Sequence, residues 1–203
     1  MIPQDSFGSL ACNAMLSSLS SCLNAGSLLI ARGYHREGME VTQRFILEVK
    51  QRFGARDTQS IHVSPLYDDS CSRAEVFLCP FLLDCDIVSS SKMAALAIAF
   101  FNMAVADHAE SFLYEGLDKR RYLEKARASY VHSMELVDHP ELMDPDGPFM
   151  YVYLALCLNL DAVERELNLC HRERWSEALE NDLMSMPPDP ENPVYHYFER
   201  RIV

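Results

Sequence analysis

The sequence predicts an all-α protein: three antiparallel helical hairpins stacked as a short solenoid, with one long irregular insertion. Three observations carry this expectation. Apolar residues recur at spacings of three and four through six stretches. Glycine and proline signals punctuate those stretches. The second and third pairs of stretches can also be laid over one another.

The central pair is Phe100 to Met134. Its first helix sets small Ala97, Ala104 and Ala106 beside bulky Phe100, Phe101 and Met103; its second carries Leu123, Ala126, Tyr130 and Ser133. Small residues let two helices approach, and large ones fill the remaining space. Such a hairpin cannot bury its apolar face alone and needs neighbours.

Taken in order, residues 1–9 read as a lead-in. A helix is expected over about 10–31, with Gly33 supplying the left-handed residue after its end. The next spans about 36–53 and stops at Gly54. Residues 54–90 break the rhythm with Asp68, Asp69, Ser70 and two prolines. Within them, 74–83 (AEVFLCPFLL) is apolar, and Pro80 argues against a central strand. The expected outcome is an extended segment docked over 75–88, with a mobile tip near 57–73. Ser89, Ser90 and Ser91 offer an N-cap to a third helix ending near Leu113. Helices follow at about 119–137, 148–168 and 171–186, the fifth opening on Pro148. Pro187, Pro188, Pro190 and Pro193 close the sixth, and the tail 187–203 has room for a short seventh. All of this forms one domain over 1–203, with hairpins at about 10–53, 91–137 and 148–186.

An offset of 51 places Phe100 on Tyr151, Met103 on Leu154 and Ala104 on Ala155. An offset of 52 places Leu123 on Trp175, Ala126 on Ala178 and Ser133 on Ser185. In the first hairpin, residues 22–26 align with 100–104, and Gly26 lies twelve residues before Gly38. These residues resemble the tetratricopeptide repeat, which sets a large residue, then Asn-Leu-Gly or similar, on helix A and a small residue twelve later on helix B. The later hairpins are stretched: Ala104 to Ala126 is 22 residues and Ala155 to Ala178 is 23. The stretch 74–137, with VFLCPFLLD and FNMAVADHAESF, is also similar to uncharacterised helical-repeat proteins of diatoms. Neither resemblance implies an enzymatic activity. The repeat family implies a partner groove lined by helix A, in some members with a carboxylate clamp. Asn24 and Asn102 match the clamp's Asn position, but Leu23 and Ser27 stand where its other residues would be.

The net charge of −12 disfavours nucleic acid and anionic membrane surfaces and favours basic partners. Seven cysteines without a CxxC pair point away from a disulfide framework or zinc site and toward a reducing compartment, cytoplasmic or nuclear. The N-terminus lacks the basic region of a signal peptide. The most apolar run, 93–105, is too short to span a bilayer.

Chemistry-bearing residues are sparse. Asp107 and Glu110 share a helix face as i, i+3 neighbours while His108 points elsewhere, so the cluster reads as a helix end rather than a metal site. His132 and His139 are isolated. Cys170 and His171 are adjacent and poorly placed to share a metal. Asp84 and Asp86, like Asp68 and Asp69, lack the ligand steps of a calcium loop. No catalytic motif is found, and no cofactor, metal site or catalytic residue is expected. The functional expectation is a non-enzymatic protein- or peptide-binding module. Its groove candidates are Asn24, Ser27, Asn102, Asp107 and Tyr151, and salt should weaken its binding. The alternative is a self-contained or homodimerising domain whose groove is filled by its own 74–88 segment, through Phe77, Phe81 and Leu82.

Overall fold

The computed structural model describes residues 20–52, 63–65, 72–73, 76–83, 92–139, 142, 147, 149–169, 173–187, 189 and 191–200. The fold is all-α. Helix α1 covers 20–31, α2 His35–Arg52, α3 Lys92–Ser111, α4 Gly116–Val137, α5 Met150–Glu166, α6 Glu173–Ser185 and α7 Pro193–Glu199. Between α2 and α3 lie short strands β1 (Val63–Pro65), β2 (Ser72–Arg73), β3 (Val76–Phe77) and β4 (Phe81–Leu83). They form two antiparallel pairs: β1 with β4, matching Ser64 to Leu82, and β2 with β3, matching Arg73 to Val76.

Helix α3 is the centre. Its residues 94–99 are buried without interruption, as are 104–108. A helix apolar all round must lie inside the protein, and α3 packs against α2, α4, α5 and β4. Helix α4 presents Leu123, Ala126, Tyr130, Ser133, Met134 and Val137 to the core. Ser133 donates its hydroxyl across the hairpin to the Ala97 carbonyl at 2.7 Å. Helix α5 is buried over 154–164 and carries α6 on its far side. There the fully buried Glu164 carboxylate accepts bonds from Arg127 of α4 and from Trp175 Nε1 of α6 at 2.9 Å.

Two helix ends follow one stereochemical rule. After α1, Gly33 takes φ 83°, its N–H reaching the Ile30 carbonyl and that of Tyr34 the Leu29 carbonyl. After α5, Asn168 takes φ 57° with the same pair of bonds, to Arg165 and Glu164. Both are Schellman closures, for which Gly is the usual residue and Asn the tolerated one. Asn168 therefore stops α5 at Glu166, two residues before the end expected from sequence. Helix α4 begins three residues earlier than expected, at Gly116 with φ 59°. Helix α7 is the predicted tail helix, capped by the Asn192 side chain, which accepts the Val194 N–H.

The first hairpin closes through glycine. A Cβ on Gly38 would lie 2.9 Å from the Gly26 carbonyl and 2.5 Å from Ile30 Cγ1. One on Gly26 would lie 2.6 Å from Thr42 Oγ1. The twelve-residue Gly pair thus marks the point where α1 and α2 touch backbone to backbone. The expected start of α1 near residue 10, the serine cap at 89–91 and most of the tip at 57–73 lie outside the described residues; the described parts of that tip, 63–65 and 72–73, are the strands β1 and β2.

Candidate functional site

Residues 76–83 run as a strap across the first helices of the three hairpins, in the reverse of their order along the chain. Three asparagines hold it, one from each helix. Asn159 of α5 accepts the Phe77 N–H at 2.7 Å and donates to the Phe77 carbonyl at 2.8 Å. Asn102 of α3 does the same for Phe81, at 2.9 and 2.8 Å. Asn24 of α1 does it for Leu83, at 2.9 and 2.6 Å.

The chemistry of the carboxamide explains the choice. A backbone residue offers one donor and one acceptor along each strand edge, and the Asn side chain offers the complement in one plane. The two inner amides use their second N–H as well. Asn102 donates to Ser27 Oγ at 2.8 Å, and Asn159 to the Tyr130 hydroxyl at 3.0 Å. Ser27 donates its own hydroxyl to the Leu23 carbonyl. Buried polar groups without partners are costly, and these have none to spare.

Asn102 and Asn24 also replace a strand. In an extended chain, alternate residues turn their N–H and C=O to opposite edges. Phe81 and Leu83 turn theirs to the asparagines, which leaves Leu82 facing Ser64 of β1. Strand β4 is therefore paired on both edges, by β1 and by two side chains. Pro65, which has no N–H to give, stands opposite Phe81, whose amide is used elsewhere.

The strap's side chains complete the fit. Val76, Phe77, Cys79, Pro80, Phe81 and Leu83 are buried, while Leu78 and Leu82 are only partly so. Phe81 meets Phe101 edge-on at 5.0 Å, and Phe77 packs on Phe81, Tyr197 and Phe198. Helix α7 seals this end, Tyr197 donating its hydroxyl to the Val76 carbonyl at 2.7 Å.

Of the five groove candidates, the structure brings together Asn24, Ser27 and Asn102. The groove they line is occupied by 76–83. Asp107 and Tyr151 do not join them. Asp107 follows Asn102 by five residues, about 140° around α3. Burial lifts its carboxyl to about 6 against the opposing pull of Lys125. Tyr151 turns to the C-terminal segment and accepts from Asn192 Nδ2 at 3.0 Å. Burial and the nearby Asp189 push its phenol up to about 12. Asn159 is the residue the sequence reading missed. The 51-residue offset sets Tyr153 beneath Asn102, whereas the groove pairs Asn102 with Asn159, 57 residues on. Its signal was a single amide inside the apolar run LALCLNL.

His108 is fully buried behind the groove. Its Nδ1 lies 3.3 Å from the Tyr130 hydroxyl that Asn159 also contacts, and its Nε2 has no partner among the described residues. Burial, reinforced by Lys119, drives its imidazole down to about 3. Among the described residues, no three His, Cys, Asp or Glu side chains are grouped to hold a metal ion, and no helix is long and apolar enough to cross a membrane. Compared with family models, curated proteins and solved structures, the chain matches none.

Proposed function

We propose that the chain is a non-enzymatic helical-repeat interaction module whose resting groove is closed by its own strap. One observation carries this reading. Three side-chain amides, evenly distributed over the three first helices, are each spent on the backbone of a single extended segment. That arrangement suits recognition of an extended chain by its main-chain groups, the mode by which sheet edges and grooves capture peptides. Its occupant here is covalently attached, which favours the self-filled alternative over an open groove awaiting a basic peptide.

Native-state hydrogen exchange tests the reading on the intact protein. The amides of Phe77, Phe81 and Leu83 should exchange as slowly as those of α3, because opening the strap would expose six buried residues. Fast exchange at these three amides, with α3 protected, would overturn the closed resting state and return the open-groove binding module.

A further inference from the structure

We propose that the groove beneath the strap is a site for an extended peptide of the pattern Phe-x-small-x-Phe-x-aliphatic, and that the strap excludes such a peptide in the resting protein. This rests on the closed-groove reading and adds to it the chemical class of the ligand.

The contacts define what the site reads. Asparagines grip both main-chain groups at three positions, equivalent to 77, 81 and 83, and the Tyr197 hydroxyl takes the carbonyl at 76. The side chains at those positions fill apolar pockets and are at most 2% exposed. Aromatic walls from Phe101, Tyr197 and Phe198 select rings at the first two. Partly buried Leu78 and Leu82 mark tolerant positions. No asparagine grips Pro80, so an N–H is not required there. The polarity of the ladder sets direction, with the first Phe on α5 and the aliphatic residue on α1. Every one of these side chains is neutral. Binding at this site is therefore insensitive to salt, unlike a contact driven by the protein's net charge.

The same contacts explain exclusion. A segment tethered at both ends acts at an effective concentration in the millimolar range or above. A free peptide with equal contacts cannot compete at micromolar concentration. A change that weakens the strap, whether a bound partner or a substitution, uncovers a site already shaped for its replacement.

Complementation in trans tests this on the full chain. The probe is an end-blocked, fluorescently labelled peptide with the sequence of residues 75–84, EVFLCPFLLD. The wild-type chain should give no anisotropy change at micromolar peptide. The Phe81→Asp chain should bind it, gain about 5 °C in Tm at saturation, and lose at least tenfold in affinity when Asn102→Ala is added. A probe with aspartate at both Phe positions should not bind. Should Phe81→Asp fail to fold, Phe81→Ala serves as the second variant. A strap variant that keeps its helical circular dichroism but does not bind the probe would overturn the proposal, as would binding indifferent to Asn102→Ala. Hydrogen exchange on the wild type reports separately on whether the strap is seated, so the two failures are distinguishable.

Discussion

Asn102 and Phe81 meet as a strand pair would: Oδ1 accepts the Phe81 N–H at 2.9 Å while Nδ2 donates to the Phe81 carbonyl at 2.8 Å. Both residues are fully buried. Asn102→Ala strips partners from the Phe81 N–H, its carbonyl and Ser27 at once. A buried group left unsatisfied costs about 1–3 kcal/mol, and the expected loss is about 3 kcal/mol by urea denaturation. Asn102→Asp should be worse at neutral pH, because its carboxylate would face the Phe81 carbonyl. A loss below about 0.5 kcal/mol for Asn102→Ala would mean that the strap is not held by this amide.

The two glycines of the first hairpin should differ in their response to a methyl group. Gly38→Ala meets the Gly26 carbonyl, a backbone atom that cannot turn aside. Overpacking of this kind costs about 1–3 kcal/mol. Gly26→Ala meets chiefly Thr42 Oγ1, a side chain tied to the Gly38 carbonyl at 2.9 Å, and should cost less once Thr42 is cut to Ala. Gly33→Ala has open space, so only its φ of 83° resists, by about 1 kcal/mol. Thermal melts of the set check the order.

Adjacent buried residues should give opposite slopes with pH. His108 titrates near 6.5 unfolded and about 3 folded. The unfolded chain then holds the extra proton, so stability is full above 6.5 and falls as pH drops toward 3. Asp107 titrates near 3.8 unfolded and about 6 folded. Here the folded chain holds the proton, and stability is lost as pH rises through 6. Between pH 4 and 6 the two slopes oppose one another. Asp107→Asn should raise the Tm at pH 7.5 and steepen the acid loss; His108→Leu should leave stability rising as pH falls from 6 to 4. Parallel Tm profiles for the two variants would refute this assignment.

The single tryptophan reports on the α4, α5 and α6 junction. Trp175 Nε1 and Arg127 share the two oxygens of Glu164, whose side chain is 0% exposed while that of Arg127 is 35% exposed. Arg127→Ala leaves a buried carboxylate with Trp175 as its main partner. The expected cost is about 2–3 kcal/mol, below the figure for a wholly buried pair because the arginine is partly solvated. Glu164→Gln should cost less, since its amide oxygen can still accept from one of the two donors. Trp175 emission should shift in both variants, and unchanged emission in Arg127→Ala would count against the coupling.

Local signals were legible in the sequence. The all-round apolar pattern of α3, the Gly26–Gly38 close approach and the Gly33 closure can each be read within a dozen residues of chain. The docking of 76–83, within the 75–88 expected, could be read from its apolar content. Its seat could not, because its three anchors lie 82, 21 and 59 residues away. Asn24 and Asn102 drew notice through their place after a large helix residue. Asn159 did not, because the offset of 51, taken from the large and small residues of the first helices, misaligns α5 by six residues. Asp107 and Tyr151 followed that sequence register, but the helices turn them toward other partners.

The span from Phe77 to Asn159 has a meaning for synthesis as well as for the finished fold. Translation proceeds at about 5–20 residues per second. The 82 residues between them therefore take roughly 4–16 s to make. During that interval an apolar stretch with two phenylalanines has left the ribosome before its last clamp exists. Nascent-chain chaperones that bind short hydrophobic segments would have this strap within reach during that interval, and the arrival of α5 would end that exposure.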